Sequence, residues 1–550
     1  MPLKKFGIYL AYQPTTDLRA QGLGRYLGEF LKAAEERQDI RFVIACPSWM
    51  VSTLLDLLAA QDRRSHTFEI ICPDKRPLLL RVHELLVEYR SRPRRRRLAR
   101  LLMRLRAFRS KLAGAVQRRI VGTRSVAWAV VLGIVLLPAA VVGILLILVP
   151  ALVIGQLLRA VKRLQTWFAG LSPVRKFRRV LKAALSQPKE ETHITRLYRV
   201  MLDVESALMR DMIDERRDVA AWYCPTAFWP HFQQIRAPRL MCVPDVVIAQ
   251  FPVGFATVGE RAFTYFKDVE RAIATGTHFV TYSDDIKWRT LVGHYGVDPL
   301  AIRVVPHGAN RLDELVRVSG SRDDEAATST LCKHLVSAAF AKAQNHAYAS
   351  FFKGGDGVRF MFYASQFRPN KNVISLLRAY EYLLKRRFVG CKLILTGNPR
   401  VHPEIDAFIT DHNLENDVLC LYGLSDQELA ACYRLADLAV NPSLSEGGFP
   451  FTFTEALSVG TPVMMARIAV TEEVITDAEL SDVMLFDPFD WMDIAKRIEW
   501  GLENRDALLE LQIPVYRLLA QRTWRDVVDD HIRILDEIST REAGVATAAG

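Results

Sequence analysis

Between residues 90 and 189 the chain has no aspartate and no glutamate. The same stretch holds 23 of its 73 lysines and arginines, which leaves 50 basic side chains against 61 acidic ones elsewhere. The overall charge of +12 is therefore local: a mildly acidic body carries one strongly basic insert. Cysteine is scarce and dispersed. The eight residues (Cys46, Cys72, Cys224, Cys242, Cys332, Cys391, Cys420 and Cys432) include no C-x-x-C pair. That argues against a zinc site or a disulfide framework and fits a reducing compartment. The N-terminus reads as lacking a signal peptide. Lys4 and Lys5 precede an apolar run, 6–12, that is too short and has no small-residue cleavage site after it. With 50% hydrophobic and 24% charged residues the composition is that of a globular protein, and 550 residues are enough for two or more domains.

Only one long apolar run exists. Residues 125–158 are 34 positions without a charge, where about 20 apolar residues suffice to cross a bilayer. Arg118, Arg119 and Arg124 precede it, and Arg159, Lys162, Arg163, Arg175, Lys176, Arg178 and Arg179 follow. Basic flanks on both sides place both ends on the cytoplasmic face of a membrane. Pro138, between Gly133 and Gly143, divides the run into arms of 13 and 20 residues, the first too short to cross comfortably. The pattern predicts an inserted membrane helical hairpin that enters and returns. Upstream, Arg92-Pro93-Arg94-Arg95-Arg96-Arg97 opens a stretch with Leu98, Leu101, Leu102, Leu105, Phe108, Leu112 and Val116 at helical spacing. That is the pattern of a helix lying on an anionic membrane surface, although a solvated arginine face on a core helix would read similarly. No interleaved aromatics support a nucleic-acid arm, so no nucleic-acid partner is expected.

Outside the insert, apolar runs alternate with helical patterns. Strands are expected at 6–12, 41–47, 68–72, 219–225, 239–245 and 278–283, and 303–308 closes this half. A second series is expected at 359–364, 392–397, 418–423 and 435–440. The alternation implies parallel sheets with crossover helices. Between the two series, 311–357 is polar and mixed, and Arg322-Asp323-Asp324-Glu325 reads as a solvated loop. A last helix, 524–538, precedes a small-residue tail, 543–550, that is expected to be disordered.

The stretch 441–457, Asn-Pro-Ser-Leu-Ser-Glu-Gly-Gly-Phe-Pro-Phe-Thr-Phe-Thr-Glu-Ala-Leu, runs from a strand's carboxyl end into a helix. Open α/β sheets bind ligands in such crevices. Glu446 and Glu455 bracket the loop, and carboxylates accept hydrogen bonds from the hydroxyls of a ribose or hexose. Gly447 and Gly448 allow close backbone approach beside Phe449. Near the N-terminus, Gly22-Leu23-Gly24 between a strand and a helix offers a place for a phosphate or the sugar next to it. An ordinary tight turn would have the same sequence.

Taken together, several motifs in order resemble glycosyltransferase family 4. They are Ser365-Gln366-Phe367-Arg368-Pro369-Asn370-Lys371-Asn372, Leu395-Thr396-Gly397, Tyr422-Gly423-Leu424-Ser425-Asp426-Gln427-Glu428-Leu429, Pro442-Ser443-Leu444-Ser445-Glu446-Gly447 and Glu455-Ala456. Gly22-Leu23-Gly24 and Val304-Val305-Pro306-His307-Gly308 are also similar to that family. The resemblance covers about 6–72 and 219–540. It implies a GT-B fold: α/β, with two Rossmann-like domains facing across a cleft and the last helix packing back on the first domain. It implies retaining transfer of a sugar from a nucleotide-sugar donor, with no cofactor and no bound metal. By the same resemblance Glu446 would contact donor-sugar hydroxyls and Glu455 the ribose hydroxyls. Lys371 would meet the diphosphate, with Arg368 sharing that work, and Asp245 would stand near the reacting centre. Gly22 and Gly24 would approach the donor from the opposite domain, and Gly447, Gly448 and Phe449 would line its site. The sequence departs from the family pattern at three points. Eight residues rather than seven separate the glutamates, Gln366 stands where an arginine is expected, and Pro244 replaces a histidine before Asp245.

The expected organisation is an N-terminal Rossmann-like domain in two parts, 1–90 and 190–310, split by the insert at 91–189. A connecting region, 311–357, leads to a donor-binding domain at 358–520. A returning helix at 521–540 and a tail at 541–550 complete it. The expected function is a glycosyltransferase at the inner (cytoplasmic) membrane, its domains facing the cytoplasm. It would act on a lipid-linked or glycan acceptor and touch an anionic membrane surface. A nucleotide-sugar epimerase of the same fold and a non-catalytic scaffold of a glycan assembly complex are the alternatives.

Overall fold

A computed structural model of the chain describes residues 3–14, 16, 22–60, 68–81, 84, 85, 193–256, 260–343, 358–399 and 402–549. The basic stretch and the expected hairpin, 91–189, lie outside these residues. Among the described residues no helix is long and apolar enough to cross a membrane. The chain separates into two units, Met1–Arg76 with Glu191–Gly550, and Pro77–Glu190. The first unit holds two parallel sheets.

The N-terminal lobe runs β1 (Lys4–Tyr9), α1 (Gly22–Glu35), β2 (Ile40–Ala45), α2 (Val51–Ala60), β3 (Glu69–Ile71), α3 (His193–Glu215), β4 (Val219–Cys224), β5 (Arg239–Cys242), α4 (Glu260–Thr275), β6 (Phe279–Thr281) and β7 (Ile302–Val304). Its seven strands lie in the order β3-β2-β1-β4-β5-β6-β7. Strands from before and after the insert share this sheet. Ile8 of β1 is in register with Ile44 of β2 on one side and with Tyr223 of β4 on the other. Helices cover both faces of such a sheet, which is why its strands read as continuous apolar runs: Phe6, Ile8, Phe42, Val43, Ile44 and Leu240 are all buried.

The C-terminal lobe runs α5 (Asp324–Lys342), β8 (Phe360–Tyr363), α6 (Val373–Lys385), β9 (Lys392–Leu395), α7 (Pro403–Asp411), β10 (Val418–Cys420), α8 (Asp426–Leu435), β11 (Leu438–Asn441), α9 (Phe451–Ser458), β12 (Val463–Ala466), β13 (Leu485–Phe486), α10 (Trp491–Glu503) and α11 (Arg505–Leu519). Strand order is β10-β9-β8-β11-β12-β13. The order reverses between β8 and β11, and a crevice opens at the carboxyl ends of strands where that happens. One of the quoted motifs is structural. Ser425 Oγ accepts from Glu428 N at 3.2 Å, and Ser425 N donates to the Glu428 carboxylate at 2.8 Å, a capping box that starts α8.

Two expectations are corrected here. The cluster at 322–325 is exposed as expected, but only Arg322 and Asp323 lie in a loop; Asp324 and Glu325 begin α5. Asp323 caps α5, its carboxylate accepting from Ala326 N at 3.0 Å, and α5 buries Cys332, Val336, Ala339 and Phe340. The tail is not disordered as far as it is described. A final helix, α12 (Trp524–Ala549), continues through its small residues, and alanine is the best helix former. α12 leaves the C-terminal lobe and packs against α1, β4 and β5 of the other, as the resemblance implies. Val527, Val528, His531 and Leu535 form its buried face.

Candidate functional site

Two turns meet at the β8/β11 switch point. After β8 the chain makes a short 3-10 turn, Pro369–Lys371. After β11 it makes the glycine-containing loop. Asn441, the last residue of β11, pins both ends of that loop: its Oδ1 accepts from Ser443 N at 3.1 Å and its Nδ2 donates to Thr452 Oγ1 at 3.3 Å. Asn370 joins the two turns. Its carbonyl accepts from Leu444 N at 2.8 Å and its amide donates to Ser445 O at 3.2 Å. These bonds set Lys371 against Glu446, Nζ to Oε1 at 2.5 Å. Tyr363 supports the lysine from β8, its hydroxyl 3.2 Å from both the Lys371 carbonyl and Ser443 Oγ.

Burial works against the Lys371 charge, but the Glu446 carboxylate more than offsets it, so the ammonium titrates above the ordinary lysine range. Asp245 follows β5 in the other lobe. Burial raises its carboxyl above the usual range and Glu446 raises it further, while Arg368 and Lys371 pull it down. The expected catalytic residues Asp245, Arg368, Lys371 and Glu446 therefore share one electrostatic cluster drawn from both lobes. Arg368 stays exposed, its guanidinium 3.2 Å from Gln366 Oε1.

The glycines are where the lobes touch. A Cβ on Gly447 would stand 1.8 Å from the Pro244 carbonyl oxygen, and one on Gly448 would stand 2.8 Å from His307 Nε2 and from Tyr282 Cβ. Ser283 Oγ donates to the Gly447 carbonyl at 3.0 Å, and Ser445 Oγ donates to Gln250 Oε1 at 2.6 Å. The Glu473 carboxylate accepts from Asp284 N at 3.0 Å and Asp285 N at 3.3 Å. Burial, with Arg522 adding to it, lowers His307 to about 4, so it is neutral at physiological pH. Its ring lies 4.4 Å from that of Phe451. Phe449 is half-buried and meets Phe453 edge-on at 5.3 Å.

Glu455 has different company. It is buried on α9, and its Oε1 accepts from Arg25 of α1 and from Asn310 Nδ2 at 3.0 Å. Trp524 Nε1 in turn donates to Asn310 Oδ1 at 3.1 Å. The expected ribose carboxylate is thus held by an arginine of the opposite lobe. Gly22 and Gly24 lie within the first turn of α1 rather than in a loop before it, and they carry Arg25. A cavity of about 340 Å³ is lined by Gln250, Phe251, Pro252, Gly254, Pro369 and Leu444. Among the described residues no group of three His, Cys, Asp or Glu side chains could hold a metal ion.

Sequence reasoning does not single out Arg25, Asn310, Gln250 or Ser283. Arg25 directly follows Gly24 and gives the one available signal, a charge beside a suspected ligand loop. The other three meet partners 145, 195 and 164 positions away, and nothing local marks them.

Residues 351–512 match the family Glycosyl transferases group 1, which identifies this part of the chain as a glycosyltransferase domain. A serotype-specific mannosyltransferase, WbdA of Escherichia coli, is 28% identical over 195 residues, covering 34% of this chain and 23% of that protein. An MMP alpha-(1->4)-mannosyltransferase of Mycolicibacterium hassiacum is 36% identical over 107 residues, 20% of this chain and 25% of that one. The chain thus spans about a quarter of the length of these curated relatives. The crystal structure of Anabaena Alr3699/HepE in complex with UDP and glucose superposes with a TM-score of 0.53 at 12% identity, covering 97% of this chain and 100% of that one. A glycosyltransferase from Rickettsia africae superposes with a TM-score of 0.50 at 11% identity, covering 98% and 99%. The fold is α/β and GT-B-like, with parallel sheets in two Rossmann-like domains.

Proposed function

We propose that the chain is a retaining glycosyltransferase that moves a hexose from a nucleotide-sugar donor to a glycan acceptor carried on a membrane lipid. The carrying observation is the charged cluster of Lys371, Glu446, Asp245 and Arg368 at the switch point of the C-terminal sheet. A donor diphosphate competes with Glu446 for Lys371 and so frees that carboxylate for sugar hydroxyls. When the bond between the anomeric carbon and the diphosphate oxygen breaks, negative charge gathers on the leaving group. In this reading Lys371 and Arg368 stabilise it. The acceptor oxygen forms its bond on the face the diphosphate leaves, and the acceptor proton passes to a departing phosphate oxygen. Asp245 approaches the reacting centre from the other lobe. Two of the relatives named above are mannosyltransferases, so mannose is the first sugar to try.

The uncharged run at 125–158 with its basic flanks supports a membrane-held acceptor and domains facing the cytoplasm. The test uses the full chain in membranes, a panel of UDP- and GDP-hexoses, and extracted membrane lipids as acceptor. One donor is expected to label lipid, and product analysis with donor alone separates transfer from epimerisation. Lys371→Ala is expected to cut turnover about 100-fold or more, and to lower the melting temperature because Glu446 is left without its partner. Turnover at the wild-type level in Lys371→Ala would remove the cluster from the reaction.

A further inference from the structure

The helix α3 is apolar on two sides. One side, Tyr198, Met209 and Ile213 with Glu205 and Ser206, is buried in the N-terminal lobe. The other carries Leu197, Val200, Val204 and Leu208, which are 44%, 52%, 56% and 46% exposed. Their spacing of three or four residues sets them in one row along the helix, about 16 Å long at about 1.5 Å per residue. Single exposed apolar side chains are ordinary, but such a row on one helix face marks a contact surface. Two observations choose what covers it. The row is purely aliphatic, whereas the centres of protein–protein contacts favour tryptophan, tyrosine and arginine and are poor in leucine and valine. Its neighbourhood in the chain is also basic. α3 begins shortly after the acid-free stretch that ends at residue 189, and its first part, 193–202, carries Arg196 and Arg199 and no carboxylate. Aliphatic side chains in a row beside cations suit a helix lying in the plane of an anionic membrane surface. Asp203, Glu205, Asp211, Asp214 and Glu215 further along keep such a helix on the membrane rather than across it.

We propose that α3 is the surface by which the N-terminal lobe rests on a membrane, with Leu197, Val200, Val204 and Leu208 entering the boundary between headgroups and acyl chains of an anionic bilayer. This rests on the functional reading above, in which the chain works at a membrane. The contact holds the lobe that carries Asp245 at the surface where a lipid-held acceptor is found.

The experiment places a nitroxide on single introduced cysteines of the full chain in vesicles of phosphatidylglycerol and phosphatidylethanolamine. It compares relaxation by oxygen, which concentrates in lipid, with relaxation by a nickel chelate, which stays in water. Val200→Cys, Val204→Cys and Leu208→Cys report on the row, Lys333→Cys on exposed α5 is the aqueous reference, and Leu146→Cys reports on the uncharged run. Six of the native cysteines are buried and two half-buried, and the labelled parent chain gives their background. The row is expected to show an oxygen-to-nickel ratio about threefold or more above that at Lys333→Cys. Low access to both reagents would mean that protein covers the row, and nickel access equal to that at Lys333→Cys would mean that water does. Either result overturns the proposal, and a lipid signal from Leu146→Cys in the same vesicles would leave the membrane reading intact. If neither the row nor Leu146→Cys reports lipid, the membrane reading fails and the proposal falls with it. All three row positions are exposed, so melting temperatures equal to the parent's are expected and exclude a folding defect.

Discussion

A methyl group on Gly447 has nowhere to go: the Pro244 carbonyl would be 1.8 Å away and Asp245 Cβ 3.2 Å away. Gly447→Ala must push the loop off the other lobe, break the 3.0 Å bond from Ser283 to the Gly447 carbonyl, and move Glu446 relative to Asp245. The expected outcome is a fall in kcat/KM of about tenfold to a hundredfold, with a stability cost of only about 1–3 kcal/mol. Steady-state kinetics beside a thermal melt checks it, and near-normal kcat/KM in the variant would show that the contact does not position the loop. At this scale the sequence is informative where chemistry is contiguous. Glu446, Gly447, Gly448 and Phe449 sit on one loop, and Lys371 lies three positions from Arg368, so a local pattern finds them. It is silent about what closes on them. Arg25 reaches Glu455 across 430 positions, and no spacing rule connects two such residues.

Gln512 shows how one helix finishes a sheet. β12 pairs with β13 only from Met465 onward, so Val463 would otherwise turn an open edge toward α11. The fully buried Gln512 side chain fills that edge, accepting from Val463 N at 3.0 Å and donating to Val463 O at 2.6 Å. Gln512→Leu keeps much of the volume but strands a buried N–H and a buried C=O, each worth about 1–3 kcal/mol. A loss of about 2–5 kcal/mol in urea unfolding is expected. A loss below 1 kcal/mol would mean that the edge finds other partners. Elements themselves were legible to different degrees. β11 starts at Leu438 rather than at Leu435, which ends α8. The β8 and β9 strands are short apolar runs bounded by turn residues, and they read correctly. The helix α5 did not, because its buried face includes Thr328, Cys332 and Ala339. Small and weakly apolar side chains give a faint periodicity, and the acidic residues at its start look like a loop until Asp323 is seen capping it. The helix Ile286–His294 is π-wound, so its side chains do not follow the α-helical period that a sequence pattern shows.

For the whole molecule, α12 is the element that ties the C-terminal lobe to the N-terminal sheet, and a buried histidine sits in its packing face. His531 is fully buried. Its ring lies 4.8 Å from Tyr223 and 5.3 Å from Phe30, with Nδ1 2.7 Å from the Val527 carbonyl and Nε2 3.5 Å from the Tyr26 hydroxyl. Burial lowers it from 6.5 to about 4, with the Val527 carbonyl and Asp530 opposing the shift and Arg522 adding to it. The sign follows. Above pH 6.5 the imidazole is neutral both folded and unfolded, and it contributes no pH dependence. Between pH 6.5 and about 4 the unfolded chain binds a proton that the folded chain refuses, so stability falls as pH falls. The slope is about 1.4 kcal/mol per pH unit for this one group. His307, lowered in the same way, acts in parallel beside the cleft. Acid should therefore loosen the joint between α12 and the first lobe before the sheets themselves fail. Urea unfolding at pH 7.5 and at pH 5.5 isolates the effect when wild type is compared with His531→Leu. The variant starts lower, having lost the Val527 bond, but should lose about 1.4 kcal/mol less than wild type between the two pH values. Parallel losses in the two proteins would mean that His531 is already solvated, and that α12 does not seal the first lobe against acid.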